Sequence, residues 1–81
     1  MFEYIRGKLE SKAGGYLVID NNGIGFKIYT SLSTLEKAGQ PGTDITVYTH
    51  LYFREEIMDI YGFITQEELR MFRLLLSVSG I

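Results

Sequence analysis

The sequence predicts a mainly β fold, with five strands forming a small barrel or sandwich, a short internal helix and a longer C-terminal helix. Three observations predict it. Apolar and polar residues alternate with period two over most of the first 63 residues; turn residues separate the alternating runs; and two capping signatures open short segments of helical period.

Tyr4 to Lys12 reads as the first strand, with Gly7 permitting a bend of the kind barrels use at corners. Tyr16-Leu17-Val18-Ile19 is a β-branched and aromatic run between Gly14-Gly15 and Asp20-Asn21-Asn22-Gly23, which are turn residues on both sides. Beyond Asn22-Gly23, Ile24, Phe26, Ile28 and Thr30 share one parity while Gly25, Lys27 and Tyr29 share the other. Asn-Gly accepts the positive φ of a tight turn, so these two runs form a hairpin. Alternation resumes with Ile45, Val47, Thr49 and Leu51 against Thr46, Tyr48, His50 and Tyr52, and Ile57 to Phe63 supplies a fifth strand. Ser33-Thr34-Leu35-Glu36 fits a capping box, ended within a turn or two by Gly39 and Pro41-Gly42. Thr65-Gln66-Glu67-Glu68 is a second capping box, flanked by Ile64 and Leu69 at the staple positions, and predicts a helix from Gln66 to about Val78. The division is therefore a barrel domain over residues 1–64 and a helix over 65–81.

That helix carries two apolar stripes: Leu69, Phe72, Leu75 and Leu76 on one, Met71, Leu74 and Val78 on its neighbour. One stripe can lie on the barrel. The second has no obvious partner in the chain, which suggests either a flat terminal helix or a piece of a larger protein.

Composition narrows the function. The chain has 81 residues, 46% hydrophobic, with no cysteine, one histidine and a net charge of −2. Disulfides and thiolate metal sites are excluded, and one histidine does not make a zinc site, so no cofactor is expected. A domain this small buries only about 60% of its unfolded surface, which favours association with other chains. No apolar run exceeds four residues, far below the ~20 of a membrane helix, and the start lacks a signal peptide's pattern; a cytoplasmic location without membrane contact is the expectation. The acidic balance alone favours protein partners over nucleic acid. His50 has no Ser or Cys partner and reads as a polar strand neighbour; Gly23-x-Gly25 lacks the third glycine of a dinucleotide site. No catalytic set is present, and a non-enzymatic role is expected. The tyrosines and phenylalanines mostly follow β periodicity as core residues do, with Tyr52, beside a charged turn, left open. The segment Leu51 to Asp59 holds the most information, because Glu55 and Glu56 occupy a hairpin tip. Read alone, such a tip is an ordinary solvated turn.

Read with the rest of the chain, the sequence resembles the amino-terminal part of the RuvA family, bacterial proteins that bind four-way (Holliday) DNA junctions. The matching segments run in order along essentially the whole chain: Ile5-Arg6-Gly7, Asn22-Gly23-Ile24-Gly25-Phe26, Leu32-Ser33-Thr34, Tyr48-Thr49-His50-Leu51, Arg54-Glu55-Glu56, Ile60-Tyr61-Gly62-Phe63 and Phe72-Arg73-Leu74-Leu75, with Val78-Ser79-Gly80-Ile81 similar to the lead-in to a helix-hairpin-helix motif. The resemblance implies an OB-like five-stranded barrel, a homotetramer serving as a platform for branch migration in recombination, repair and the SOS response, and partnership with a RuvB-type ATPase motor and a RuvC-type resolvase. It implies that Glu55 and Glu56 form an acidic pin at the junction centre, where the family more usually has Glu then Asp. Arg54, Lys8 and Lys27 are candidate phosphate contacts. Two roles are open to Arg54: partial neutralisation of the pin, or capture of a displaced phosphate. The alternatives are a generic OB-type single-strand binder, which needs a basic groove with exposed aromatics, and a protein-interaction barrel.

Overall fold

Each strand finds a neighbour on both sides over part of its length, and the sheet closes on itself. The computed structural model describes residues 2–79, with side chains through Val78; the Gly80-Ile81 part of the family resemblance lies outside the described residues. The elements are β1 (Tyr4–Ala13), β2 (Tyr16–Asn21), β3 (Ile24–Tyr29), α1 (Leu32–Lys37), β4 (Asp44–Arg54), β5 (Ile57–Phe63) and α2 (Gln66–Ser79). The strands close a barrel in the order β1-β2-β3-β5-β4. All neighbours are antiparallel except β3 and β5, which meet in parallel at Ile28↔Ile60 and Tyr29↔Tyr61. The Thr30 hydroxyl donates to the Gly62 carbonyl across this seam. The predicted five-stranded, OB-like barrel is the observed one.

Inward-facing Ile5, Leu9, Leu17, Ile19, Ile28, Ile45, Val47 and Ile60 fill the interior, and α1 adds Leu35 and Ala38 to the same cluster. The β2–β3 hairpin turns at Asn22 (φ 52°) and Gly23 (φ 89°), and the Asp20 carboxylate accepts from the Gly23 amide at 2.8 Å. Thr65 caps α2 as its sequence predicts: its hydroxyl accepts from the Glu68 amide at 3.1 Å and lies 3.2 Å from the Glu68 carboxylate.

Two local expectations are corrected and one is extended. First, α1 starts two residues earlier than the Ser33 signature suggests. Ser31 is the N-cap, accepting from the Thr34 amide at 3.2 Å, because the earlier start buries Thr34 and Leu35 together. Second, β1 carries an irregularity beyond Gly7 that the sequence reading does not include. The register slips between Leu9 and Ser11, leaving Glu10 as the extra residue of a bulge. Gly7 also allows close approach: a Cβ there would stand 2.4 Å from the Asp20 carbonyl oxygen. Third, Leu75 does not share the packed stripe of α2. Leu69 is buried and Phe72 half-buried, whereas Leu75 is 60% exposed and belongs with Met71, Leu74 and Val78.

Two glycines therefore let strands approach more closely than an unshifted Cβ would allow. Gly62 is the second, with a hypothetical Cβ 2.7 Å from an Ile28 methyl and 3.2 Å from a Val47 methyl. Overpacking typically costs about 1–3 kcal/mol. Gly62→Ala should fall in that range, since side-chain methyls can shift. Gly7→Ala should cost more, because its obstacle is backbone. Urea denaturation of the two variants checks the order; equal midpoints would contradict it.

Candidate nucleic-acid interface

Strand lengths in this barrel are unequal, and the excess length makes a projecting ribbon. β1 pairs with β4 only from Asp44 to Tyr48, and the last tie to the N-terminal segment is at Thr49, whose amide donates to the Glu3 carbonyl and whose hydroxyl donates to the Phe2 carbonyl. β5 meets β3 only at Ile60 and Tyr61. Beyond those points β4 and β5 have only each other, through Tyr52↔Asp59, Phe53↔Met58 and Arg54↔Ile57. Glu55 and Glu56 form the two-residue tip.

The tip has an unusual backbone. Glu55 (φ 44°) and Glu56 (φ 68°) both occupy the left-handed region. A two-residue hairpin turn of this kind is usually Asn-Gly or Asp-Gly, and an L-residue with a longer side chain is disfavoured there by roughly 1 kcal/mol per position. Both carboxylates are exposed, and neither forms an ion pair among the described residues.

The ribbon has two faces. The one continuing the barrel interior presents Phe53 and Met58 side by side, 69% and 54% exposed. The one continuing the barrel exterior carries Tyr52, with the Arg54 guanidinium 5.6 Å above its ring, and Tyr52 meets Tyr61 edge-on at 6.2 Å. Tyr61 passes the contact to Phe72 of α2 at 5.0 Å, and Phe72 also packs on Phe63 and on His50. Thus α2 lies on the outer faces of β4 and β5 through one aromatic stripe.

The basic residues are dispersed. Arg54 adjoins the acidic tip, but Lys8 sits in the register of Asp20 and Asp44, with its amine 4.0 Å from the Asp44 carboxylate. Asp44 and Arg54 are the two ends of β4, about 30 Å apart at the usual strand rise. The Lys27 amine stands over the Tyr16 and Tyr29 rings at 4.4 and 5.2 Å. Of the five residues picked from sequence, Arg54, Glu55 and Glu56 are gathered at one place, while Lys8 and Lys27 lie elsewhere. The supporting contacts of Tyr61 and Phe72 carried no sequence signal, because they join β3, β5 and α2 at long range.

His50 faces α2. Arg73 donates from Nε to His50 Nδ1 at 3.3 Å and from a terminal nitrogen to the Thr49 carbonyl at 3.4 Å. Burial, and secondarily the nearby Arg73 charge, lower the His50 pKa from its usual value. The ring is therefore an acceptor, not a cation, at neutral pH.

The family described as "RuvA N terminal domain" matches residues 1–62. Over all 81 residues the chain is 53% identical to the "Holliday junction branch migration complex subunit RuvA" of Acetivibrio thermocellus. It is 49% identical to the proteins of the same name from Ruminiclostridium cellulolyticum and Clostridium botulinum. The chain spans about 40% of the length of these curated relatives.

Two outcomes follow from this geometry. Replacing Glu55-Glu56 by Asn-Gly should stabilise the domain by about 1–2 kcal/mol, since both new residues suit the turn; a thermal scan showing no gain would mean the turn is unstrained. For His50, a folded-state pKa below the unfolded one means that the unfolded chain binds more protons, so stability rises with pH. The contribution is present above about pH 6.5 and lost as pH falls through the lowered value. Chemical denaturation at pH 8 and pH 5 should show this loss, and His50→Gln should shrink it.

Proposed function

This chain belongs to the RuvA N-terminal domain family, and from that premise we propose that it is the barrel module of a protein that binds four-way junction DNA and supports branch migration. In this reading residues 1–64 are the barrel domain, and residues 65–81 lead into a helix-hairpin-helix domain that makes most of the phosphate contacts. The module itself is non-catalytic. Four copies surround the junction, a RuvB-type ATPase supplies the motor and a RuvC-type resolvase acts on the same substrate in the cytoplasm.

The observation that carries this reading is the Glu55-Glu56 tip: two exposed carboxylates on a ribbon that extends past the barrel, in a backbone conformation that favours other residues. Strained positions tend to persist where function requires them. Around a four-fold axis, four such tips place eight carboxylates where the DNA arms converge. A phosphate about 4 Å from a carboxylate is repelled by about 1 kcal/mol in a water-like dielectric, and by more where solvent is excluded. The pin therefore keeps backbones away from the centre and favours an open crossover, in which base pairs separate as strands pass. The dispersed cations fit the same division of labour. With Lys8 beside Asp44 and Lys27 over two rings, this module offers few free charges for phosphates, and affinity scales with the number neutralised.

The test is Glu55→Gln with Glu56→Gln in the full-length polypeptide. The pair keeps size and polarity, so stability should change by no more than about 0.5 kcal/mol. DNA binding should strengthen and should extend to linear duplex, because the repulsive element that rejects the wrong ligand is gone. Paired titrations of duplex and four-way junction at fixed salt measure this. An unchanged junction-to-duplex preference would reduce the tip to a solvated turn.

A further inference from the structure

On the outer side of the ribbon, between the hairpin and α2, lies a cleft of about 420 Å³ lined by Tyr52, Arg54, Tyr61, Phe72 and Leu76. We propose that this cleft is a docking slot for one unpaired base of a DNA single strand, stacked against Tyr52 with its phosphate held by Arg54. The inference rests on the junction reading for the origin of that strand: base pairs parted at the Glu55-Glu56 tip release bases beside the slot, whose Arg54 directly precedes Glu55.

Three features select this occupant. The walls are π faces and aliphatic carbon, and base–aromatic stacking is tolerant of sequence because every base has a π face. The one cation at the slot, Arg54, stands 5.6 Å from the Tyr52 centroid, looser than a stacked contact, so the guanidinium can turn to a phosphate without vacating a packed position. The surrounding carboxylates point the same way. Asp59 faces Tyr52 across the ribbon, and Glu55 and Glu56 follow Arg54 directly. A strand entering with its backbone first meets three negative charges, whereas a neutral base does not. The acidic surroundings therefore orient the strand with base inward and phosphate toward Arg54. The ring is held for this role: Tyr61 supports Tyr52 edge-on at 6.2 Å, and Tyr61 is itself fixed by Tyr29 and Phe72 at 5.7 and 5.0 Å. Arg54 then captures a displaced phosphate in place of neutralising the pin.

The test uses this chain and two 12-residue probes of equal charge: oligothymidylate, and a strand of the same length whose sugars carry no bases. Amide chemical shifts are followed during titration at low salt. The thymidylate should bind at least ten-fold tighter than the baseless strand, with the largest shifts at Tyr52, Tyr61 and Phe72. Tyr52→Ala should erase that difference, and Tyr52→Leu, which keeps the apolar bulk, should erase most of it. Arg54→Gln should weaken both probes alike and flatten the salt dependence. Equal affinity for the two probes overturns the slot without using any variant, as do shifts confined to the Lys27 face. The pin is judged separately by the junction-to-duplex preference. A normal pin with no base preference defeats the slot alone, and a base preference with a failed pin leaves a single-strand site on a different platform.

Discussion

The short parallel seam between β3 and β5 is the constraint on which the rest of this molecule depends. Only Ile28↔Ile60 and Tyr29↔Tyr61 are in register there, yet this contact turns an open meander into a barrel. It forms because Gly62 has no side chain: Ile28 and Val47 methyls occupy the space a Cβ would need, and Thr30 bonds the Gly62 carbonyl. Once the seam fixes the base of β5 and the β1 ladder fixes the base of β4, the remainder of that hairpin has no lateral partner. The ribbon is a consequence of closure with strands of unequal length. Rigid at its root and unpaired along its edges, it carries charge away from the barrel surface to a distance that a loop of two residues could not reach.

The barrel was legible in the sequence because its information is local. Alternation, the Asn22-Gly23 turn and the Thr65 cap each act within a few residues, and each appears where the pattern places it. The failures also have local causes. Ser33 carries the Glu36 of a capping box whereas Ser31 has Thr34 at that position, so the box signature points to the wrong serine, and the structure starts the helix where Thr34 and Leu35 are buried. Leu75 sits on the boundary between two helical stripes, so helical period alone does not say which way it faces. Gly7 reads in the sequence as a bend, and its close approach to Asp20 becomes visible only once β2 is seen above it. Of the site, the acidic tip was visible as two carboxylates in a row. Its strained backbone, the dispersal of Lys8 and Lys27, and the aromatic chain from Tyr52 through Tyr61 to Phe72 were not, since all depend on which strands become neighbours.

That aromatic chain links the tip to the helix. Tyr61 touches Tyr29 on β3, Tyr52 on the ribbon and Phe72 on α2, so one ring couples three elements. Phe72 in turn reaches His50, whose unprotonated nitrogen accepts from Arg73. The orientation of α2 is therefore set by side chains on the same two strands that form the ribbon. Within the described residues, α2 stands at a defined angle to the Glu55-Glu56 tip. In the junction reading, that is the geometry a DNA-gripping domain needs relative to the charges at the crossover.

The choice of Glu at the tip is then a choice against stability. Asn-Gly, already used at the β2–β3 turn, shows that this chain employs the unstrained solution where nothing else is required of the turn. At 55–56 the same class of turn carries two residues that favour it less. Neither residue recovers the loss by an ion pair among the described residues, and neither is buried against anything. A solvated tip with no task would gain about 1–2 kcal/mol by becoming Asn-Gly. The exchange would remove both negative charges from a tip that only its own two strands flank. The strain and the charge occur at the same two residues, and in the junction reading proposed above the repulsion of an approaching phosphate gives that charge its task.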